Sequence, residues 1–281
     1  MSIAYVNGAY VPLGEAGVHI EDRGFQFGDA IYEVWGVRSG RLFDTDGHLA
    51  RLHRSLNELR IRAPMTDSAL MAVVRETQRR NRVRDGLIYL QISRGAAPRD
   101  HVFPPAHVQP TLVITAKRMN PAVLDARARY GVKVITVPEV RWARRDIKSV
   151  NLLPNVLARQ QASEVGAFEA WFVEADGSVT EGTSSNAWIV DAEGCIRTRA
   201  LSNQILHGVT RAALMRIAAE RQMRLAEAPF SVAEAKAARE AFISSATNPA
   251  VAVVSIDGVP IGDGRPGPVA QALRAAYFGA A

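Results

Sequence analysis

The chain has 281 residues with 34 basic and 28 acidic side chains, a formal charge of +6, and 48% hydrophobic against 22% charged residues. That balance excludes a disordered or low-complexity chain, and the length leaves room for two cores. No apolar run approaches the ~20 residues that span a bilayer, and the basic residues are scattered without aromatic interleaving, so neither membrane nor nucleic acid is an expected partner.

The start, Met1-Ser-Ile-Ala-Tyr-Val-Asn-Gly8, lacks a signal-peptide pattern. Cys195 is the single cysteine and cannot form an internal disulfide, which points to a reducing cytoplasm. It carries no assigned chemistry. Asn7-Gly8 joins two short strands as a hairpin. Gly24 and Gly28 then mark a tight backbone path before a strand over 31–37, which sets Tyr32 and Val34 on one face and Glu33 and Trp35 on the other. Asp46 is expected to cap a helix over 48–60, with Leu49, Leu52, Leu56 and Leu59 as its apolar stripe and His48 and Arg51 sharing another face. A second helix follows over 68–81, capped by Thr66.

Strands over 87–93 and 111–116 flank a long proline-studded loop carrying Arg99 and His101, and such loops are disproportionately functional. A composition change near 119–125 divides the chain into a small N-terminal α/β domain, 1–119, and a larger C-terminal domain, 120–281. The strand over 132–137 leads to Lys148, set between Ile147 and Val150. A lysine held among apolar neighbours more readily offers a neutral, nucleophilic amine. Arg141, Arg144 and Arg145 cluster beside it, and a site for anionic small molecules accounts for part of the basic excess. A helix from about Pro154, a hairpin at Asp176-Gly177, and the small-residue turn Glu181-Gly-Thr-Ser-Ser-Asn186 come next.

Several elements end in groups suited to an anion. Gly208-Val-Thr-Arg211 opens a helix, where free N–H groups and the Thr210 hydroxyl suit a phosphate. Ser245-Ala-Thr247 gathers small residues and hydroxyls at a strand end, and Arg51 offers a bidentate positive charge. With Lys148 and the carboxylate of Glu181, these match the needs of pyridoxal 5′-phosphate: an amine, a phosphate cup and a carboxylate for the ring nitrogen.

Glu181, Thr183, Asn186, Thr198 and Leu206-His-Gly-Val-Thr-Arg211 follow a long, spaced signature by which the sequence resembles the fold-type-IV (class IV) aminotransferases, most closely the bacterial D-amino acid aminotransferases. Trp188 departs from the usual phenylalanine or tyrosine, a packing change. The resemblance implies an α+β (mixed α/β) fold of two domains, each a sheet with packed helices, the C-terminal one binding cofactor. It implies Lys148 as the Schiff-base lysine, Glu181 as partner of the ring nitrogen, and Arg51, Val209, Thr210, Ala246 and Thr247 around the phosphate. Leu206 is expected to pack on the ring. Ping-pong transfer of an amino group between D-amino acids (D-alanine, D-glutamate type) and 2-oxo acids follows.

The loop Ser93 to Phe103 resembles the one that sets an arginine and a histidine, with a strand tyrosine, around the substrate carboxylate. Those positions are Arg99, His101 and Tyr32, the first two reaching the neighbouring subunit of a homodimer. Gly36 stands where the D-specific enzymes carry a lysine, which leaves (R)-amines open as substrates. A branched-chain L-aminotransferase and, with less support from the loop, an aminodeoxychorismate lyase are the alternatives.

Overall fold

A computed structural model describes residues 2–279, which separate into two compact units. The N-terminal unit extends to Asn120 and also takes in Ile147–Asn151; the C-terminal unit comprises Pro121–Asp146 and the chain from Leu152 onward.

The N-terminal unit contains β1 (Ile3–Val6), β2 (Ala9–Pro12), α1 (Arg23–Phe27), β3 (Ala30–Arg38), β4 (Arg41–Leu42), α2 (Thr45–Glu58), α3 (Asp67–Arg80), β5 (Gly86–Ser93) and β6 (Thr111–Arg118). Among the described residues its strands form a six-stranded antiparallel sheet in the order β2-β1-β6-β5-β3-β4. Short hairpins account for β1–β2 and β3–β4, as antiparallel strands allow, whereas β5 and β6 pair across the long loop of residues 94–110. The inward faces of β3 and β5, with Ile31, Trp35, Ile88 and Leu90, bury against Leu52 and Leu56 of α2 and Val74 of α3. The leucine stripe therefore points where its spacing requires.

The start of α2 differs from the expectation. Its N-cap is Asp44, in the left-handed region at φ 51°, and Asp46 lies in the first turn. A carboxylate there suits the positive end of the helix dipole without capping it. Thr66 does cap α3, accepting the N–H of Ala69.

The segment around Lys148, expected within the C-terminal domain, belongs to the N-terminal unit. Backbone bonds explain this: Tyr32 N–H donates to the Lys148 carbonyl (3.0 Å), Val150 N–H donates to the Ala30 carbonyl (3.1 Å), and Ser149 bridges Ile31. These residues line the edge of β3 beyond the end of β4, while Ile147 enters the core.

The C-terminal unit contains α4 (Pro121–Tyr130), β7 (Val132–Pro138), α5 (Leu153–Glu164), β8 (Glu169–Val173), β9 (Val179–Gly182), β10 (Asn186–Val190), β11 (Ile196–Thr198), α6 (Val209–Glu220), β12 (Leu225–Glu227), α7 (Val232–Ala237), β13 (Glu240–Ser245), β14 (Asn248–Ile256), β15 (Val259–Pro260) and α8 (Pro268–Gly279). Among the described residues the sheet runs β12-β11-β10-β13-β14-β7-β8-β9, with β15 on β14. β7 is parallel to β14 and to β8, the latter as the α5 crossover requires. Buried Val134, Trp171, Ile189, Phe230, Ile243 and Val251 form the larger core. Phe172, Ala170 and Val137 pack with Ala158 and Ala162 of α5. Two short helices, α4 and α7, were not expected, although Ser231 and Glu234 form a complete capping box at the start of α7. Among the described residues no helix is long and apolar enough to cross a membrane.

Candidate active site

In the N-terminal unit, Lys148 is half-buried and its Nζ lies 4.1 Å from the centroid of the Tyr32 ring. Tyr32 in turn stacks on Tyr89 at 5.7 Å, and the Tyr89 hydroxyl donates to Gln91 Oε1 at 2.7 Å. Burial, reinforced by Tyr32, pushes the Tyr89 phenol up to about 12. The backbone of Lys148 is also held: its N–H donates to Ser55 Oγ of α2 at 3.3 Å.

One residue beyond Tyr32 along β3, Glu33 forms with α2 a buried ionic cluster that sequence reasoning did not single out. Glu33 accepts Arg51 Nε at 2.7 Å and Nη2 at 2.8 Å, while His48 Nδ1 lies 2.8 Å from Glu33 Oε2. Burial opposes the Glu33 charge, yet the Arg51 charge and the hydrogen bonds from Arg51 and His48 outweigh it and take the carboxyl down to about 2. Burial lowers the His48 imidazole against the pull of Glu33. The fork fixes the Arg51 guanidinium in one plane. The signal was present in the strand alternation, which puts a carboxylate on the Trp35 face, where a charge persists only with partners.

Arg99 and His101 occupy the exposed loop after β5. The Arg99 guanidinium lies 5.0 Å from the Phe27 centroid and the His101 ring 5.4 Å from it. Buried Arg23 secures this loop, donating to the Asp100 carbonyl at 2.5 Å and, through Nε, to Asp29 at 2.9 Å. Among the described residues, Tyr32 and the Arg99–His101 pair share no partner: the first is held by Tyr89 and Lys148, the second by Phe27.

In the C-terminal unit, Glu181 ends up buried near the close of β9. Its Oε1 accepts Arg141 Nη1 at 2.7 Å, its Oε2 accepts Asn186 Nδ2 at 3.1 Å, and the Leu206 N–H is shared between both oxygens at 3.1 and 3.0 Å. Burial raises the Glu181 carboxyl despite Arg141. Asn186 also donates to the Leu206 carbonyl at 3.1 Å and pairs in the sheet with Ser244, so it ties the Leu206 turn to the end of β13. A Cβ on Gly208 would meet Asn186 Oδ1 at 1.9 Å, which explains the glycine. Gly208 is the N-cap of α6 and supplies no capping side chain, leaving the helix N-terminus around Val209 and buried Thr210 for an anion. Ala246 and Thr247 lie in the turn after β13, where Asn248 Nδ2 donates to Thr247 Oγ1 at 3.0 Å.

The arginine cluster beside Lys148 in sequence is paired with carboxylates. Arg141 pairs with Glu139 and Glu181, Arg144 with Asp146, and Arg145 with Glu174. A second unforeseen carboxylate, buried Glu169, accepts the Thr183 N–H (3.1 Å), the Thr183 hydroxyl and the Ser185 hydroxyl (3.0 Å), bracing the turn after Glu181.

The amino-transferase class IV family model matches residues 30–256. The chain belongs to that family.

A D-alanine aminotransferase of Bacillus licheniformis is 39% identical over 270 residues, covering 96% of this chain and 94% of the relative. One from Staphylococcus haemolyticus is 38% identical over 278 residues, covering 99% and 97%. Among solved structures, a T.th. branched-chain amino acid aminotransferase with pyridoxamine 5′-phosphate superposes with a TM-score of 0.89 at 26% identity, covering 99% of this chain and 93% of that one.

Class IV aminotransferases depend on pyridoxal 5′-phosphate, and the donor set here fits that cofactor. There is a lysine seated on an aromatic ring, an α6 N-terminus without a side-chain cap, and a buried carboxylate whose proton affinity is raised. The signature positions of the class IV chain have visible structural work. Thr198 Oγ1 donates to the Ala187 carbonyl at 2.9 Å, and Arg211 Nη2 donates to the Arg199 carbonyl at 2.9 Å and to Glu227 at 2.7 Å. Trp188 is buried, stacked on Phe242 at 5.3 Å, with Nε1 donating to Ser244 Oγ at 2.9 Å.

Proposed function

We propose that this class IV aminotransferase moves an amino group between D-amino acids of the D-alanine and D-glutamate type and 2-oxo acids, in two half-reactions of ping-pong form. The near-full-length likeness to the D-alanine aminotransferase of Bacillus licheniformis, at 39% identity, carries this reading. Bound pyridoxal 5′-phosphate supplies the carbon to which an amine attaches and the electron sink that stabilises the deprotonated Cα.

Lys148 is the covalent anchor, and once displaced by substrate its amine carries the proton to and from Cα. The Tyr32 ring, whose centroid lies 4.1 Å from Nζ, orients that amine. Arg51, held in one plane by Glu33, serves the phosphate, together with the Val209 and Thr210 end of α6 and the Ala246-Thr247 turn. Glu181, fixed by Arg141, Asn186 and the Leu206 N–H, would hold the ring nitrogen's proton, and Leu206 would pack on the ring.

Tyr32, Arg99 and His101 bind the substrate carboxylate, with Arg99 and His101 serving the neighbouring subunit of a homodimer. Their attachment to Phe27, apart from Tyr32, supports this reading. So do Ile20, Phe25 and Val102 of the same unit, which are 74%, 73% and 71% exposed and suit a subunit interface. A cytoplasmic setting agrees with the lone cysteine.

The structural likeness to the T.th. branched-chain enzyme favours a second reading, an L-branched-chain aminotransferase. Coupled assays with D-alanine and L-leucine as donors and 2-oxoglutarate as acceptor separate the two. Activity confined to L-leucine refutes the first. The purified protein should carry a visible cofactor band that borohydride bleaches, and Lys148→Ala should shift the band and abolish the bleaching. An unchanged spectrum in Lys148→Ala overturns the assignment of the lysine.

A further inference from the structure

Within the C-terminal unit, Glu181 is one end of a row of alternating charges. Arg141 Nη1 donates to Glu181 Oε1 at 2.7 Å, while its Nη2 and Nε donate to Glu139 at 2.7 and 3.0 Å. Glu139 also accepts the Thr180 hydroxyl at 2.9 Å and lies 3.4 Å from Arg145 Nη1, and Arg145 pairs with Glu174 at 2.6 Å. The Arg141 guanidinium also lies 4.3 Å from the Phe172 ring centroid.

The row holds three carboxylates and two guanidiniums, and so is one positive charge short. Most of its members are buried, where charge is compensated by neighbours and not by water. The two oxygens of Glu181 are also unlike. Oε1 carries the ion pair, whereas Oε2 meets only the neutral donors Asn186 Nδ2 and the shared Leu206 N–H. Oε2 is therefore the more basic oxygen and the one a further cationic donor would choose.

We propose that Arg141 and Glu139 are positioning residues for transamination: Arg141 orients Glu181 through Oε1, and Glu139, by dividing the Arg141 charge, keeps Oε2 basic enough to hold the proton on the cofactor's ring nitrogen. The raised Glu181 carboxyl agrees, since the Arg141 charge and hydrogen bond lower it while burial and Glu139 raise it. The role rests on the reading of Glu181 as partner of the ring nitrogen. It has a counter-intuitive consequence. Removing the negative charge of Glu139 hands the whole of Arg141 to Glu181, makes Glu181 a weaker base, and thereby loosens the proton on the ring.

The test uses Glu139→Gln and Arg141→Lys with cofactor labelled with ¹⁵N at the ring nitrogen. Three quantities are read: the ¹⁵N chemical shift of the bound ring, the dissociation constant for pyridoxal 5′-phosphate added to apoprotein, and the split of kcat and KM. In Glu139→Gln the ¹⁵N shift should move toward the deprotonated value, cofactor affinity should fall about tenfold, the equivalent of one unit of proton affinity, and kcat should drop with KM little changed. Arg141→Lys, which keeps the charge without the fork, should retain the protonated shift while binding cofactor more weakly.

A Glu139→Gln protein with the wild-type ¹⁵N shift and dissociation constant overturns the proposal, as does one that loses affinity only in step with its circular dichroism. If wild-type protein itself shows no protonated ring nitrogen, the reading of Glu181 fails. A wild-type ring that is protonated beside an unchanged variant sinks the tuning role alone.

Discussion

Glu33→Gln probes the buried cluster beneath the Lys148 segment. The substitution keeps the shape of the side chain and removes its charge, leaving Arg51 and His48 without the carboxylate that accepts from both. Displacement of the Glu33 carboxyl from 4.5 to about 2 in a fully buried position is equivalent to about 3 kcal/mol of folded-state stabilisation. That agrees with the roughly 3–5 kcal/mol expected when one member of a buried ion pair is removed.

Because the folded-state value is depressed, the contribution is fully present above 4.5 and is lost as pH falls through about 2. Urea denaturation of wild type and Glu33→Gln, followed by circular dichroism, should show a gap of about 3 kcal/mol at neutral pH that closes between these two values. A companion Glu33→Gln/Arg51→Met protein should recover part of the loss, since it leaves no uncompensated buried charge. A gap under about 0.5 kcal/mol, the size of an ordinary surface change, or one that does not vary with pH, would refute the assignment of the cluster as a stabilising ion pair.

Arg99→Ala should raise KM for D-amino acids roughly 10- to 100-fold, the scale of a lost charge-assisted hydrogen bond, while the cofactor band stays in place; steady-state kinetics beside an absorbance spectrum decide this. Gly208→Ala sets a methyl 1.9 Å from Asn186 Oδ1, so Asn186 must release Leu206 and Glu181. Destabilisation of about 1–3 kcal/mol and weaker cofactor binding should follow in melting and spectral titrations. Tyr89 should stay protonated until pH approaches about 12, so alkaline difference spectra of wild type and Tyr89→Phe should coincide at lower pH; a missing ordinary tyrosine titration in the variant would contradict that.

Much of the chemistry was legible in local patterns because local physics requires it. The leucine stripe of α2 reports its buried face, Asn7-Gly8 and Asp176-Gly177 report hairpins, and Gly208 before Val209-Thr210 reports an uncapped helix start. The signature from Glu181 to Arg211 was legible for the same reason. Its members brace one another across a few turns, as Asn186 does with Leu206 and Thr198 with Ala187.

The residue types at Lys148, Arg51, Glu181 and Thr210, with the signature by which the sequence resembles the class IV aminotransferases, were enough to point to the chemistry. They could not say which carboxylate each buried arginine meets, since Arg51 finds Glu33 across 18 positions and Arg141 finds Glu181 across 40. Nor could they put Ile147–Asn151 in the N-terminal unit, because that depends on an edge of β3 left open where β4 ends. Side-chain chemistry is written residue by residue, whereas the pairing of buried charges and strand edges exists only once distant segments are packed and must satisfy one another.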